Sequence, residues 1–391
     1  MRTRFACMCT SVDNPPVATA PCSLFTVGAY EGWLEVVDRL AEEWRCLCAE
    51  AEEDQPFYRP EWIQAHIRAF IPSSKILLIS VRRGGRLRFI LPLVEEKGMV
   101  GGVPVRMLRA PVNAHGGRFD AVRSLGSDGD GAIQAAWDYL KNREGWDLLQ
   151  LRSALEGSTV SQLAAAARED GFPTVQVPER PCPYVPVPAE LELVNRLPAN
   201  SKLRSQLRQA RCRLAEQGPL SFYRVQTADR EALERFYRLE ASGWKGRQGS
   251  AILCNTETRC FYDEMAESAA RFGYFSLYML EFKDQLIAAH YSFTLCGRCY
   301  SPKIAYDEHF KQFAPGHLIV EEILRDCAAR GTRVFDITGP NDNWKMKWTS
   351  ETRPVNHYLI FRGTLGRFAH ISRYKIGTAL ARLLRGARKA P

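Results

Sequence analysis

The chain has 391 residues, of which 46% are hydrophobic, 10% aromatic and 25% charged. This composition is typical of globular proteins and excludes a mainly disordered, collagen-like or coiled-coil chain, while the length favours two domains of ordinary size. The 53 lysines and arginines outnumber the 44 acids and give a formal net charge of +9. That surplus favours anionic partners such as phosphates, nucleotides, nucleic acid or acidic lipid, without choosing among them.

The N-terminal segment predicts a loose flexible tail over residues 1–22 rather than a secretory signal. It begins basic but reaches Asp13-Asn-Pro-Pro before any long apolar core develops. No run of about 18 apolar residues is available to span a bilayer. Twelve cysteines at irregular spacing favour reduced thiols over a disulfide framework. The sequence therefore predicts a cytoplasmic protein.

The first half of the chain, residues 23–188, alternates helical and strand patterns. The predicted elements, in chain order, are helices over about Gly32–Ala51 and Pro60–Phe70, strands at Lys75–Val81, Arg86–Leu93 and Val105–Leu108, a helix at Ala132–Asn142 and a strand at Trp146–Leu151. The half ends at Pro178–Pro188, which holds five prolines. Prolines are incompatible with helix interiors and central strands, so this segment predicts an extended crossover between halves.

The second half, residues 189–363, has a clearer order. The predicted elements are a helix at Lys202–Glu216, a strand at Leu220–Val225, helices at Ala228–Ala241 and Thr258–Phe272, strands at Tyr274–Phe282, Leu286–Leu295 and Cys299–Ala305, a helix at Pro315–Arg330, and strands at Arg333–Ile337 and Val355–Phe361. Cys296 and Cys299 have zinc-knuckle spacing but no second ligand pair, so they predict a hairpin turn and no metal site. A helix connects Cys299–Ala305 to Arg333–Ile337, which predicts parallel strands with a crevice at their carboxyl ends.

The last segment, residues 364–391, predicts a basic helix. From Arg367 to Lys389 it contains seven lysines and arginines and no acids. Phe368, Ile371 and Leu380 belong to a partial apolar stripe. Such a helix could lie on anionic lipid at the inner face of a membrane, or dock on its own protein with a solvated basic face.

The element order of the second half resembles the fold of the GNAT acyltransferases. Residues Glu240–Ile252, Ala305–Gly316, Phe335–Pro340 and Trp344–Trp348 resemble the CelD/BcsL-type acetyltransferases of bacterial envelope polysaccharide synthesis, a group similar to the Fem-type peptidoglycan aminoacyltransferases. The resemblance covers roughly residues 25 to 362. It implies an α/β (α+β) fold of two GNAT-like halves, 23–188 and 189–363, each a mixed, largely antiparallel sheet flanked by helices.

The resemblance also implies where an acyl donor binds. In GNAT enzymes the loop between the fourth strand and the third helix holds the pyrophosphate of acyl-CoA with backbone N–H groups and the helix dipole. The matching residues are Lys311, Ala314, Pro315, Gly316 and His317. The alternative is an ordinary helix start. The pocket is expected as a wedge between the two parallel strands, near Tyr306 and Asp336.

Two aromatic-lysine pairs are further candidates. By resemblance to the Fem-like pattern, Lys345 would stabilise the developing oxyanion beside Trp344, with Lys347 as a competitor for that role. Trp244 and Lys245 lie in a glycine-rich segment that could fold over a substrate. For each pair the alternative is a packed tryptophan next to an ordinary lysine.

The remaining polar candidates concern the proton and the acceptor. Glu240, His290 and Asp307 are candidate general bases, because amine acyl transfer needs an uncharged nitrogen. A buried core histidine and a turn carboxylate are the alternatives for His290 and Asp307. By resemblance, Asn113 and His115 would help to hold the acceptor between the halves.

These features predict an acyltransferase of the GNAT type that uses acetyl-CoA or another acyl-CoA as co-substrate, without a metal. The acceptor would be a sugar-containing envelope or exopolysaccharide precursor, whose amine or hydroxyl would attack the thioester directly, without an enzyme-bound acyl intermediate. One alternative is a Fem-like transferase that uses aminoacyl-tRNA, although the long helical-hairpin arm of many such enzymes is not evident. The other is a non-catalytic basic module that binds nucleic acid or anionic membrane; nucleic acid is the less favoured partner.

Overall fold

The computed structural model describes residues 24–376. The expected tail over residues 1–22, and the basic helix beyond residue 376, lie outside the described residues. Within residues 24–376 no helix combines the length and the apolarity needed to cross a bilayer.

Strands and helices alternate along both halves. The strands are β1 (Thr26–Gly32), β2 (Ile76–Arg83), β3 (Arg86–Val100), β4 (Val103–Arg109), β5 (Val122–Arg123), β6 (Leu148–Leu155), β7 (Thr174–Pro186), β8 (Leu220–Val225), β9 (Phe275–Phe282), β10 (Gln285–Leu295), β11 (Arg298–Tyr306), β12 (Val334–Asp336) and β13 (Thr352–Phe361). The α-helices are α1 (Glu35–Glu50), α2 (Pro60–Phe70), α3 (Ser127–Asn142), α4 (Thr159–Glu169), α5 (Leu191–Val194), α6 (Ser201–Gln217), α7 (Arg230–Ser242), α8 (Trp244–Arg247), α9 (Thr256–Arg271), α10 (Pro315–Ala329) and α11 (Gly363–His370).

The strands form two mixed sheets that meet at β7. The first sheet has the order β1-β2-β3-β4-β6-β13-β7, and the second continues as β7-β12-β11-β10-β9-β8, while β5 pairs with β3. Neighbours are antiparallel except for two parallel pairs, β4 with β6 and β11 with β12. Each parallel pair is connected through a helix, α3 or α10, as such crossovers require. The expected fold class, α/β with two mixed sheets flanked by helices, is confirmed.

The proline-rich segment is a strand rather than an extended crossover. β7 contains Pro178, Pro181 and Pro183 and lies between β13 and β12, so the expectation that these prolines exclude a central strand is wrong. Residues 174–183 pair with β13, and residues 184–186 pair with β12. Most positions of β7 therefore have a neighbouring strand on one side alone, and on the other side a missing N–H costs no ladder hydrogen bond.

The last strand of the chain returns to the first sheet. β13 lies between β6 and β7 and is antiparallel to both. β13 follows the predicted boundary at residue 188 but joins the sheet of the first half, and β7 precedes that boundary but pairs with β12 of the second half. The two halves are therefore linked by main-chain hydrogen bonds as well as by packing.

One hydrophobic core is shared between the halves. It contains residues of α1 and α2 from the first half and of α7, α9 and β10 from the second. The Trp62 ring lies edge-on to three other rings, at 4.8 Å from Phe57, 5.1 Å from Phe261 and 5.7 Å from Phe293. Such edge-to-face contacts add to the stabilisation from buried area and fix how α2 packs against α9.

Candidate active site

A pocket of about 560 Å³ opens at the carboxyl end of β11. Its walls come from the end of α7, from α8, from the last residues of β11, from the start of α10 and from the loop after β12. The lining residues are Leu239, Glu240, Gly243, Trp244, Lys245, Ile304, Ala305, Tyr306, Glu308, Lys311, Ala314, Pro315, Gly316, His317, Asp342 and Trp344. The structure therefore brings together all five residues of the expected donor loop with Trp244, Lys245 and Trp344.

The pocket exists because two parallel strands separate. β11 pairs with β12 only over Arg298–Tyr300, opposite Val334–Asp336, and then continues to Tyr306 without a β12 neighbour. Thr338 Oγ1 donates a hydrogen bond to Ser301 O at 3.0 Å directly beyond this pairing, and the wedge is open from Ile304 onward. Its Tyr306 end lines the pocket, whereas the Asp336 side chain is fully buried and its Oδ1 accepts a hydrogen bond from Arg118 Nη2 at 2.7 Å.

Helix α10 begins at the pocket with its N-terminus uncapped. Ala314 precedes it in the left-handed conformation, with φ +50°, and Pro315 occupies its first position, where no N–H is needed. No side chain caps this end, and its first turn contains no acid. The partial positive charge of the helix N-terminus therefore faces a region that already holds Gly316 and Lys311, which is the arrangement that binds phosphate groups.

The lining contains three acids, Glu240, Glu308 and Asp342, and two lysines, Lys245 and Lys311. Each acid is already paired with a base: Glu240 with Lys245 at 2.9 Å, Glu308 with Arg247 at 3.0 Å, and Asp342 with Arg180 at 3.1 Å. Lys311 is exposed and takes part in no ion pair within residues 24–376. A pocket with paired acids and an unpaired lysine favours an anionic ligand.

His317 contributes a neutral ring to the pocket. Trp348 Nε1 donates a hydrogen bond to His317 Nδ1 at 2.9 Å, which leaves Nε2 as the protonated nitrogen. Burial, and to a smaller extent the charge of Lys347, lowers the pKa of His317 to about 4. Trp344 lies beside the imidazole, with 6.3 Å between the ring centroids. His317 can therefore donate a hydrogen bond at neutral pH without carrying a charge.

Lys345 supports the loop after β12 rather than lining the pocket. Its Nζ donates to the carbonyl oxygens of Thr338 at 2.6 Å and Pro340 at 2.9 Å, and the residue is 7% exposed. Burial lowers its pKa. These bonds hold the loop that places Asp342 and Trp344 in the pocket wall.

Two of the three candidate bases, His290 and Asp307, lie outside the lining. His290 is fully buried in β10, where its Nδ1 lies 2.8 Å from Ser301 Oγ, and burial lowers its pKa to about 3. Asp307 Oδ1 accepts the backbone N–H of His309 at 2.9 Å, and Oδ2 accepts a hydrogen bond from Gln285 Nε2 at 2.9 Å. Glu240, the third candidate base, does line the pocket.

The two candidate acceptor residues lie where the halves meet. Asn113 Oδ1 accepts the backbone N–H of His115 at 2.8 Å and so shapes their loop. The His115 ring stacks on Phe70 at 5.7 Å, and its Nδ1 lies 3.5 Å from the hydroxyl of Tyr262 on α9. Neither residue lines the donor pocket, but Tyr262 connects His115 to Lys303 of β11, whose Nζ lies 5.3 Å from the Tyr262 ring.

Sequence reasoning missed Lys303 and Arg118. Lys303 stands in a strand between Tyr300 and Ala305, both buried, and a lysine inside such a run was a signal that could have been used. Arg118 had no comparable signal, because its partner Asp336 lies 218 positions away in the chain.

The first half has no equivalent open wedge between its parallel strands. β4 and β6 pair up to Arg109 and Gln150, and the space beyond is filled by the chain itself, with Phe119 N–H bonded to Ser153 O at 3.1 Å. The first turn of α3, the helix equivalent to α10, contains Asp128 and Asp130. These carboxylates pair with Arg83, Arg88 and Arg123 and occupy the helix N-terminus, whereas the N-terminus of α10 has no acid.

A family comparison agrees with this site. Residues 201–346 match the acetyltransferase (GNAT) domain. The expected enzyme class, a GNAT-type acyltransferase, is confirmed by this match. The matched residues include every residue that lines the pocket described above. A search of curated protein sequences finds no match.

Solved structures share the fold at low sequence identity. The crystal structure of FemX aligns with a TM-score of 0.56 and 12% identity over 82% of this chain and 96% of FemX. A conserved protein of unknown function from Bacteroides thetaiotaomicron aligns with a TM-score of 0.54 and 8% identity over 86% and 100% of the two chains. A tandem GNAT protein from the clavulanic acid biosynthesis pathway gives 0.45 and 14% over 87% and 100%. The first two similarities show a shared fold that includes both halves.

Proposed function

We propose that the GNAT domain binds acetyl-CoA, or another acyl-CoA, in the pocket at the start of α10. The chain would transfer the acyl group to an amine or hydroxyl of a sugar-containing envelope or exopolysaccharide precursor. The observation that carries this proposal is the uncapped N-terminus of α10, which meets the unpaired ammonium of Lys311 in an open pocket. Backbone N–H groups at a helix N-terminus and a nearby lysine are the groups that hold a pyrophosphate.

The rest of the donor would follow β11. The strand has no β12 neighbour beyond Tyr300, so backbone groups at its Tyr306 end, on the side away from β10, are available to the amides of pantetheine. Gly316 faces Tyr306 across this path, and a β-carbon added at Gly316 would lie 3.4 Å from Tyr306 Cδ1. The half-exposed ring of Trp244 offers a flat apolar surface at the mouth for a sugar ring.

The acyl carbon would react near Lys245. Its Nζ donates to Ile304 O at 2.8 Å and to Glu240 Oε1 at 2.9 Å, which fixes a positive charge beside the strand that would carry the thioester. Attack by the acceptor forms the new C–N or C–O bond, breaks the C–S bond and releases CoA, and the acceptor proton passes to the leaving sulfur. A fixed ammonium stabilises the oxyanion between these steps. Asp307, His290 and Lys345 stay predictions for the proton and for charge stabilisation.

An acyl-CoA donor is preferred over aminoacyl-tRNA. Between β7 and β8 the described structure contains the short α5 and the single helix α6, with no long helical-hairpin arm in residues 187–219. The basic residues of α6 include Arg211, which is already paired with Glu321 and Glu322. This region therefore offers less of the free charge that an RNA backbone needs.

The donor proposal makes a direct prediction for Gly316. Gly316→Glu should weaken CoA binding by about a hundredfold, because a carboxylate would stand at the helix N-terminus beside the pyrophosphate. Gly316→Gln has the same size without the charge and should weaken binding much less. Isothermal titration calorimetry measures both affinities, and it should give one CoA bound per chain because the first half lacks an open wedge.

The outcomes separate the alternatives. If neither CoA nor acetyl-CoA binds the wild-type chain, the donor proposal fails and a non-catalytic module is favoured. Two bound CoA molecules per chain would contradict the assignment of the site to the second half alone. Equal losses in Gly316→Glu and Gly316→Gln would show that the helix N-terminus does not contact the phosphates.

We also propose a peripheral membrane contact at α11. Leu365, Phe368 and Ile371 are exposed there, close to the exposed Arg367 and Arg373. Exposed apolar side chains with basic neighbours are typical of segments that lie on anionic lipid. Phe368→Ser should reduce co-sedimentation with phosphatidylcholine vesicles containing phosphatidylglycerol by about fivefold, since one large apolar anchor is lost. Equal binding to phosphatidylcholine vesicles alone, or no binding to either, would contradict the contact.

A further inference from the structure

Two lysines share one buried carboxylate beside the donor pocket. The Glu240 side chain is fully buried, and its Oε2 accepts the backbone N–H of Ile252 at 2.8 Å. Its Oε1 lies 2.9 Å from Lys245 Nζ and 3.7 Å from Lys303 Nζ. The carboxylate carries one negative charge and the two lysines carry two positive charges, so the cluster has one positive charge in excess.

The excess charge belongs to Lys303. A separation of 3.7 Å is too long for a full hydrogen bond, so the Lys303 ammonium gains electrostatic attraction from Glu240 without a good acceptor. The other close group is the Tyr262 ring at 5.3 Å. The Lys303 side chain is 14% exposed, and burial lowers its pKa. A mostly buried ammonium that shares one carboxylate with a second lysine gains stability when a further anion joins it.

The neighbouring groups of the first half do not supply that anion. His115 reaches the Tyr262 hydroxyl from the other half, and burial together with the charge of Lys303 lowers its pKa to about 4, so it is neutral at physiological pH. Phe70 stacks on the other side of the His115 ring. On the side of the first half the groups near Lys303 are thus aromatic and neutral, which strengthens any charge interaction formed there.

We propose that Lys303 binds an anionic group, a carboxylate or a phosphate, of the acyl acceptor, and that the acceptor lies between the two halves. This inference rests on the proposed function, because it takes the pocket at α10 as the donor site. Lys303 precedes Ile304, which lines that pocket. An acceptor anchored at Lys303 would therefore present its amine or hydroxyl to the thioester from the side of the first half, next to Lys245.

The test compares two sugars that differ only in charge. The wild-type chain, saturated with CoA so that the donor site is occupied, is titrated calorimetrically with glucosamine 6-phosphate and with glucosamine. The phosphorylated sugar should bind about tenfold more tightly or better, since a charge-assisted hydrogen bond in a mostly buried site has an effect of that size. Lys303→Met should remove this preference, and Lys303→Arg should retain it.

Three variants test whether the preference for the phosphorylated sugar depends on the charge of Lys303. In Lys303→Met, Glu240 keeps its bonds to Lys245 and to the amide of Ile252, so we expect the variant to fold, and Lys303→Arg tests the charge if it does not. Lys97→Met removes an exposed lysine of β3 and should leave the preference unchanged. Equal affinity for the two sugars, absence of binding of both, or an unchanged preference in Lys303→Met would overturn the proposal.

Failure of the donor proposal is distinguished in the same experiment. CoA is titrated first, and absence of CoA binding refutes the donor site independently of Lys303. The sugar titrations are then made on the free chain, where the dependence on Lys303 still decides whether this lysine binds an anion.

Discussion

Replacing Asp336 by alanine should lower the free energy of unfolding by about 3–5 kcal/mol, because it would leave a buried arginine without its counter-charge. Asp336 Oδ1 accepts hydrogen bonds from Arg118 Nη2 at 2.7 Å and from the backbone N–H of Thr338 at 2.9 Å. The Arg118 side chain is 3% exposed, and its other close partner is Gln55 Oε1 at 3.4 Å. Chemical denaturation measures the loss.

Two control variants test whether the loss comes from leaving the Arg118 charge buried without a partner. The double variant Arg118→Met/Asp336→Leu should be much less destabilised than Asp336→Ala, since a buried pair exchanged for apolar residues of similar volume costs little. Asp138→Ala removes a carboxylate whose side chain is 47% exposed and pairs with Lys141, and it should cost less than about 1 kcal/mol. A loss in Asp336→Ala as small as in Asp138→Ala would contradict the role of this pair in joining the halves.

The same pair shows why the relation between the halves was not predictable. Arg118 lies in the segment that fills the wedge of the first half, and Asp336 ends β12 in the second. Hydropathy periodicity identifies a buried strand or an amphipathic helix, but it contains no information about which distant side chains will meet. A buried charge pair leaves no periodic pattern at all.

Local patterns did predict which residues meet at the pocket at the start of α10. The apolar stripe of α10 and the short strand after it indicated a parallel crossover, and this places Gly316 and Trp344 at the same crevice. Both features depend on residues near each other in the chain. The helix start at Pro315 also agrees, because proline is favoured at the first helical position.

Non-local pairing explains the failures. The proline content argued against a strand at β7. The strand, however, pairs first with β13 and then with β12, so most of its prolines have a neighbouring strand on one side only and their missing N–H groups cost no hydrogen bond on the other. The partner of β13 could not be read from its apolar pattern, which is the same whether it joins the first sheet or the second. The unsatisfied charge of Lys303 depends on Glu240, which lies on a helix far away in sequence.

Acidification from about pH 7 to about pH 5 should destabilise the protein, because two histidines are buried in neutral form. His66 on α2 and His290 on β10 are 1% and 0% exposed, and burial lowers the pKa of each from 6.5 to about 3. In the unfolded chain both take up protons once the pH falls below 6.5, whereas the folded chain does not until about pH 3. Their contribution to stability is therefore complete above pH 6.5 and is lost as the pH falls.

The histidines and one aspartate change the free energy of unfolding in opposite directions on acidification, so their sizes must be compared. At pH 5 each buried histidine costs about 2 kcal/mol. Asp120 acts in the opposite direction, since desolvation raises its pKa from 3.8 to about 7 and its protonated form is favoured in the folded chain, which returns about 2 kcal/mol at the same pH. Three partly buried histidines, His115, His317 and His357, each with a pKa lowered to about 4, add to the loss. The histidines therefore outweigh Asp120.

His66→Leu gives the sharpest measurement of this effect. His66 packs against Phe70 at 5.1 Å, and its Nδ1 has no hydrogen-bond partner in the structure, so leucine fits the same apolar surroundings. Denaturation curves recorded between about pH 5 and pH 7 should show an acid-induced loss about 2 kcal/mol smaller in His66→Leu than in the wild type. A pH dependence identical in His66→Leu and the wild type would show that His66 is not held neutral by burial.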